Sequence, residues 1–132
     1  MMVAGQALRS TMWYQITVNP DYLKAELFDR QTPQETREFL DAVFAECTKQ
    51  QRYRVLISVR SSRPIFSVEK YGLSSFIELA LKHSAKIAVL ADSTEVRIAH
   101  EYAVMLARLR GVNVRTFRDE AVAVEWLKSE PR

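Results

Sequence analysis

The segment from Val55 to Phe76, VLISVRSSRPIFSVEKYGLSSF, constrains the fold more than any other part of the chain. It opens with five residues of nearly unbroken apolar character, interrupted only by Ser58. So short an apolar run, rich in β-branched residues, reads as a strand covered on both faces, as in a parallel sheet. A polar loop with two serines and two arginines follows. Residues 68–82 then read as a helix, with Gly72, Phe76, Leu79 and Ala80 facing one way and Leu73, Ile77 and Leu81 another.

A second fully apolar run, IAVLA at 87–91, is a second central strand. Two strands that each hide both faces need helices on both sides, and the remaining sequence supplies them. Residues 13–18 and 22–28 alternate apolar and polar positions around the turn signal Asn19-Pro20-Asp21, which is the pattern of an antiparallel hairpin with one wet face. Thr32, Pro33 and Glu35 form a capping box with proline at the first helical position. The helix they start carries Thr36, Phe39, Leu40, Val43, Phe44 and Cys47 on one stripe and ends near Gln51. Asp92-Ser93-Thr94 caps a third helix that Gly111 closes, residues 112–117 alternate like an edge strand, and Asp119 starts a last helix buried through Ala123, Trp126 and Leu127. The order β-β-α-β-α-β-α-β-α implies one α/β domain over residues 13–129, with a mostly parallel sheet and right-handed crossovers. Residues 1–12 read as a flexible tail.

At 132 residues the chain is long enough for one core without staples. A single cysteine, Cys47, excludes an internal disulfide framework and fits a reducing compartment, and it lies on a helix stripe as a buried thiol. No apolar run reaches the roughly 20 residues of a membrane span, and MMVAGQALRSTM lacks the apolar region of a signal peptide, so the expected location is cytoplasmic. The net charge is +3, but Lys49, Lys82, Arg108, Arg110 and Lys128 fall where helices end and meet the helix dipole. No basic run interleaved with aromatics appears, so nucleic acid is not an expected partner.

Four phrases are more specific than this pattern: Trp13-Tyr14, RVLISVRSSRPIF, VRIAHEYAVMLARLRGVNVRTFRDE, and the terminal AVEWL. Together they resemble the SpoIIAA-like superfamily, which includes the STAS domains of anti-sigma factor antagonists and sulfate transporters, and most closely its small bacterial STAS/SEC14-like members. The resemblance spans Trp13 to Lys128 and implies an N-terminal β-hairpin followed by a β-α superhelix. It implies a non-enzymatic binding or interaction module of the bacterial cytoplasm, acting through protein contacts. In the antagonist branch a serine before Gly-Leu at the start of the second helix is phosphorylated. Here Gly72 and Leu73 match and Tyr71 stands in the serine's place, so the phosphorylation switch is not carried over. The SEC14-like members bind lipids, which hints at an apolar ligand.

Two candidate regions follow from the expected topology. Ligands of parallel β-α units meet the carboxyl edge of the strands, which gathers Arg60, Ser61, Ser62 and Arg63 with Asp92 and Ser93. Arginine forks beside hydroxyls suit a phosphate or carboxylate. Capping alone accounts for Ser93, but it explains Arg60 and Arg63 less well. The second region is apolar: Phe66, Tyr71, Leu73, Ile77, Leu81, Ile98, Tyr102 and Met105 lie on helix faces in excess of what one sheet can cover. Packing between helices, a homodimer or protein-partner surface, and a groove for a small apolar ligand all satisfy that excess. His100 and Glu101 diverge around the helix and make no tight pair, while Arg97 and Glu101 suit a surface ion pair. The dispersed histidines and cysteine make no zinc set, three glycines make no phosphate loop, and no catalytic constellation or cofactor is expected.

Overall fold

The computed structural model describes residues 2–6 and 10–129. Its elements run β1 (Met2–Gln6), β2 (Trp13–Val18), β3 (Leu23–Phe28), α1 (Pro33–Gln50), β4 (Arg54–Arg60), α2 (Leu73–Lys82), β5 (Lys86–Ala91), α3 (Thr94–Leu109), β6 (Asn113–Thr116) and α4 (Glu120–Lys128). The six strands pair in chain order. β2 pairs antiparallel with β1 on one side and β3 on the other, and β3 through β6 are parallel. This is the α/β architecture that the alternation of strands and helices predicts, with a mostly parallel sheet entered by an antiparallel hairpin.

Burial of the two central strands follows the alternation of their side chains. Val55, Ile57 and Val59 of β4, with Ile87 and Val89 of β5, face a large cluster with Phe39, Val43, Ile77 and Ala80 from α1 and α2 and Val96 and Ala107 from α3. Leu56, Ala88 and Leu90 face the other way, onto Ala123 and Leu127 of α4. Three helices therefore cover one face and a nine-residue helix covers part of the other.

Strong local signals set most boundaries. The Thr32 capping box is formed, with Thr32 Oγ1 accepting from the Glu35 N–H at 3.2 Å. Ser93 and Asp119 cap α3 and α4 in the same way, and Gly111, at φ +99°, follows the end of α3. Two buried-edge cations hold the far end of α4: Arg54 Nη1 donates to the Leu127 carbonyl at 2.8 Å, and Lys86 Nζ donates to the Ser129 carbonyl at 3.0 Å while lying over the Trp126 ring. Both complement the negative end of the helix dipole.

Two boundaries differ from the sequence expectation. Met2–Gln6, read as part of a flexible tail, forms β1 and pairs residue for residue with β2. MVAGQ is weakly apolar and carries a glycine, so no periodicity marks it; it becomes a strand because the free edge of β2 offers it a ladder of hydrogen-bonding groups. The helix expected from residue 68 begins at Leu73 instead. Gly72 sits at φ +81° as the N-cap, a left-handed conformation that suits glycine, and residues 68–71 are turns.

Because α4 closes its sheet face with only a small apolar cluster, Leu127→Ala is expected to cost about 2–5 kcal/mol of stability. Equilibrium urea unfolding measures it, and a loss under about 1 kcal/mol would show that α4 is not what buries Leu56 and Leu90.

Candidate functional site

β3 ends at Phe28, and the chain turns through Asp29, at φ +56°, into Arg30. Arg30 lies at the carboxyl edge of the parallel strands, two residues before the α1 cap, and is only 3% exposed. It organises the long connection between β4 and α2. The Arg30 N–H donates to Ser62 Oγ at 3.0 Å, the Arg63 N–H donates to the Arg30 carbonyl at 3.0 Å, and Arg30 Nη2 donates to the Arg63 carbonyl. Nη1 donates to Thr36 Oγ1 on α1 at 3.2 Å. One guanidinium thus joins the end of β3, the β4–α2 loop and the first turn of α1.

Beside this clamp is a cavity of about 90 Å³ between the sheet and helices α1, α2 and α3. Its walls are mostly apolar, with Leu27, Phe39, Ile57, Val59, Val89 and Val104 among them. Four polar side chains reach it: Arg30, Thr36, Tyr71 and His100. Arg30 Nε and His100 Nδ1 are buried and have no hydrogen-bond partner. Burial lowers the guanidinium of Arg30 to a pKa of about 10, opposed by the neighbouring Tyr71 and Glu35. Burial and then the positive charge of Arg30 push His100 down to about 4, so the imidazole is neutral at pH 7. Burial raises the Tyr71 hydroxyl to about 12, partly offset by Arg30.

The residues expected at the strands' carboxyl edge are brought together, and most of their polar groups are engaged internally. Arg60 pairs with Glu26 at 3.4 Å and lies over the Phe28 ring, which itself stacks on Trp13. Asp92 Oδ2 accepts from the Ser61 N–H at 3.0 Å, and Ser62 Oγ donates to the Arg60 carbonyl at 2.9 Å. Ser93 caps α3, as the capping reading has it, and Arg63 is exposed.

The apolar candidates separate into three groups. Tyr71 and Leu73 line the cavity, and Ile77 is buried in the core beneath α2. Phe66 and Leu81 are exposed on the loop before α2 and at its end. Ile98, Tyr102 and Met105 form an exposed stripe on α3 that Leu109 continues, at 52%, 43%, 49% and 78% exposure. Tyr71 is 8% exposed, and burial raises the pKa of its hydroxyl, so the side chain is turned into the domain rather than presented to solvent.

Sequence reasoning missed Arg30 and gave His100 no role. A lone arginine between a strand and a cap has no motif. Its one legible signal is position, since it directly follows a strand at the edge where β-α folds gather ligands. Arg97 and Glu101 form the expected i,i+4 pair, long at 3.9 Å. Cys47 is fully buried and its thiol is pushed up to about 12, mainly by desolvation, which leaves it unreactive. Among the described residues no group of three or more histidine, cysteine or acidic side chains is placed to hold a metal. No helix among them is long and apolar enough to cross a membrane.

Set against known protein families, residues 22–128 match the SpoIIAA-like family over most of the chain. The chain belongs to the SpoIIAA-like family. Among solved structures it is similar to one titled "NMR Structure of the protein TM1081", with a TM-score of 0.56 at 14% identity over 87% of this chain and 88% of that one. At that identity the likeness shows the SpoIIAA-like fold alone. A search of curated proteins returns no match.

The partly buried imidazole, with Nδ1 enclosed, makes a sign-definite prediction. An unfolded histidine takes its proton near pH 6.5 and the folded His100 only near 4, so the unfolded state binds more protons between these values. Stability is therefore full above about pH 6.5 and falls as pH drops toward 4, by up to about 3 kcal/mol from this residue. His100→Gln removes that contribution, so its unfolding free energy should fall less steeply with acid than that of the wild type. Parallel curves for the two proteins between pH 7 and 4.5 would refute a neutral, buried His100.

Proposed function

We propose that this SpoIIAA-like domain is a non-enzymatic interaction module that docks through the outer face of α3, and that the partner this face fits best is a second copy of the chain. SpoIIAA-like and STAS domains generally mediate protein interactions and are generally non-catalytic, which is the coarse frame for this reading. The observation that carries it is the stripe Ile98, Tyr102, Met105 and Leu109, four large apolar side chains of one helix that remain exposed. Exposing a continuous apolar stripe is unfavourable for an isolated domain and marks a contact surface.

The stripe is also self-complementary. Its residues follow at i, i+4, i+7 and i+11, a spacing that reads the same from either end of the helix. Two antiparallel copies of α3 set Ile98 against Leu109 and Tyr102 against Met105, twice over. An isologous two-fold contact needs this matching of a patch with itself. Glu101 and Arg108, both exposed and two turns apart, flank the stripe, and antiparallel pairing brings Glu101 toward Arg108 of the second copy.

Sedimentation equilibrium is expected to show a concentration-dependent dimer. Met105→Glu buries an unpaired carboxylate at the centre of the contact and should weaken association at least about tenfold without loss of helix by circular dichroism. Monomer alone at high micromolar concentration would remove the homodimer and leave α3 to a different protein partner.

A further inference from the structure

A cation taken out of water is costly unless a counter-charge or a full set of acceptors replaces its hydration. Arg30 is buried, yet among the described residues no carboxylate ion-pairs with it. Glu35 is close enough to act on it electrostatically, but the oxygens of Glu35 accept from Ser10 and from the N–H groups of Gln31 and Thr32. The partners Arg30 does have, Thr36 Oγ1 and the Arg63 carbonyl, are neutral. Its clamp role explains Nη1 and Nη2 and leaves Nε with nothing to bond. His100, from a different element, presents a second buried nitrogen without a partner on the wall of the same cavity.

Apart from the hydroxyls of Thr36 and Tyr71 the rest of that wall is apolar, so the site offers one positive end and one greasy end. Its size is decisive. A volume of 90 Å³ is smaller than the roughly 150 Å³ cavity that accepts benzene, and it holds about three waters. A chain of about three or four carbons fills this volume, and a longer one has to extend beyond it. A phosphate carries more negative charge than one guanidinium balances and has no apolar part for the remaining walls.

We propose that the cavity binds a short-chain monocarboxylate of about three to four carbons, its carboxylate on Arg30 Nε and His100 and its alkyl chain among Leu27, Phe39, Ile57 and Val104. The anion supplies a counter-charge in direct contact with the guanidinium, which Glu35, engaged by Ser10, Gln31 and Thr32, does not, and the neutral imidazole supplies a hydrogen bond to the second oxygen. Occupancy does not depend on α3 pairing with a second copy, because the lining side chains face the interior of one chain. Water is the competing occupant: it can bond both nitrogens, but it adds no negative charge to the distant one of Glu35.

Calorimetry and thermal unfolding of the full chain at pH 7 test this, with sodium propionate, butyrate and hexanoate, with butyramide, with inorganic phosphate, and with sodium chloride to hold ionic strength constant. Propionate and butyrate are expected to bind saturably at one site per chain, raising Tm by roughly 5 °C at ten times Kd. Hexanoate should bind more weakly than butyrate, and butyramide and phosphate should not bind at the same concentrations. Arg30→Gln should weaken butyrate binding roughly ten- to a hundredfold. Since Arg30 also clamps the β4–α2 loop, Ala103→Leu provides a second variant that narrows the cavity from α3 without touching the clamp, and it should lose butyrate binding while remaining folded. Absence of saturable binding by propionate and butyrate would show a cavity that holds only water and overturn the proposal. Equal binding of butyramide, or full affinity in folded Ala103→Leu, would overturn it as well.

Discussion

The structure depends first on the double-sided burial of β4 and β5. A strand hidden on both faces satisfies its backbone through its two neighbours and its side chains through two separate layers, so it forces helices onto both sides of the sheet. Parallel pairing of β3 to β6 then requires a helix between each pair of strands, and those crossovers supply the two layers. The layers are unequal. α1, α2 and α3 share a large apolar cluster, whereas α4 has a small one and is further held by Arg54 and Lys86 at its carboxyl end. The antiparallel strands β1 and β2 extend the sheet beyond the reach of α4, which is why Trp13 and Phe28 stack on a face left partly open.

The same topology creates the site. Parallel strands end together at one edge, and the connections leaving them must turn there into helices. Arg30 sits at that convergence, bonding to the loop after β4 and to the first turn of α1. It is buried because three elements close over it; burial first and the charge of Arg30 second keep His100 neutral, and burial, only partly offset by Arg30, raises the Tyr71 hydroxyl. The interior of the domain holds one buried guanidinium, while the outer face of α3 carries an exposed apolar stripe flanked by the charges of Glu101 and Arg108.

Much of the fold was legible before any coordinates. Continuous apolar character marked β4 and β5, alternation marked the β2–β3 hairpin, and capping chemistry at Thr32, Ser93 and Asp119 placed three helix starts. β1 and the start of α2 were not legible. Pairing at a free sheet edge creates the first, and the left-handed conformation of Gly72 delays the second past an apparently helical pattern. The candidate site was legible only in part. Tyr71 and the α3 stripe stand out by apolar excess, but Arg30 and His100 look like ordinary polar residues until the fold brings them to one cavity.

The sequence by itself determined the class of the domain, the order of its elements and the presence of more apolar helix surface than one sheet can cover. These are local properties, set by the period of hydrophobicity and by caps that act within one turn of helix. Only the tertiary structure decided which part of that excess is buried and which is exposed, because burial depends on the layer a helix joins. It also decided that a guanidinium from one turn and an imidazole from a helix 70 residues later in the chain would share a desolvated cavity. No local pattern encodes that meeting, since its cause is the convergence of parallel strands at a common edge.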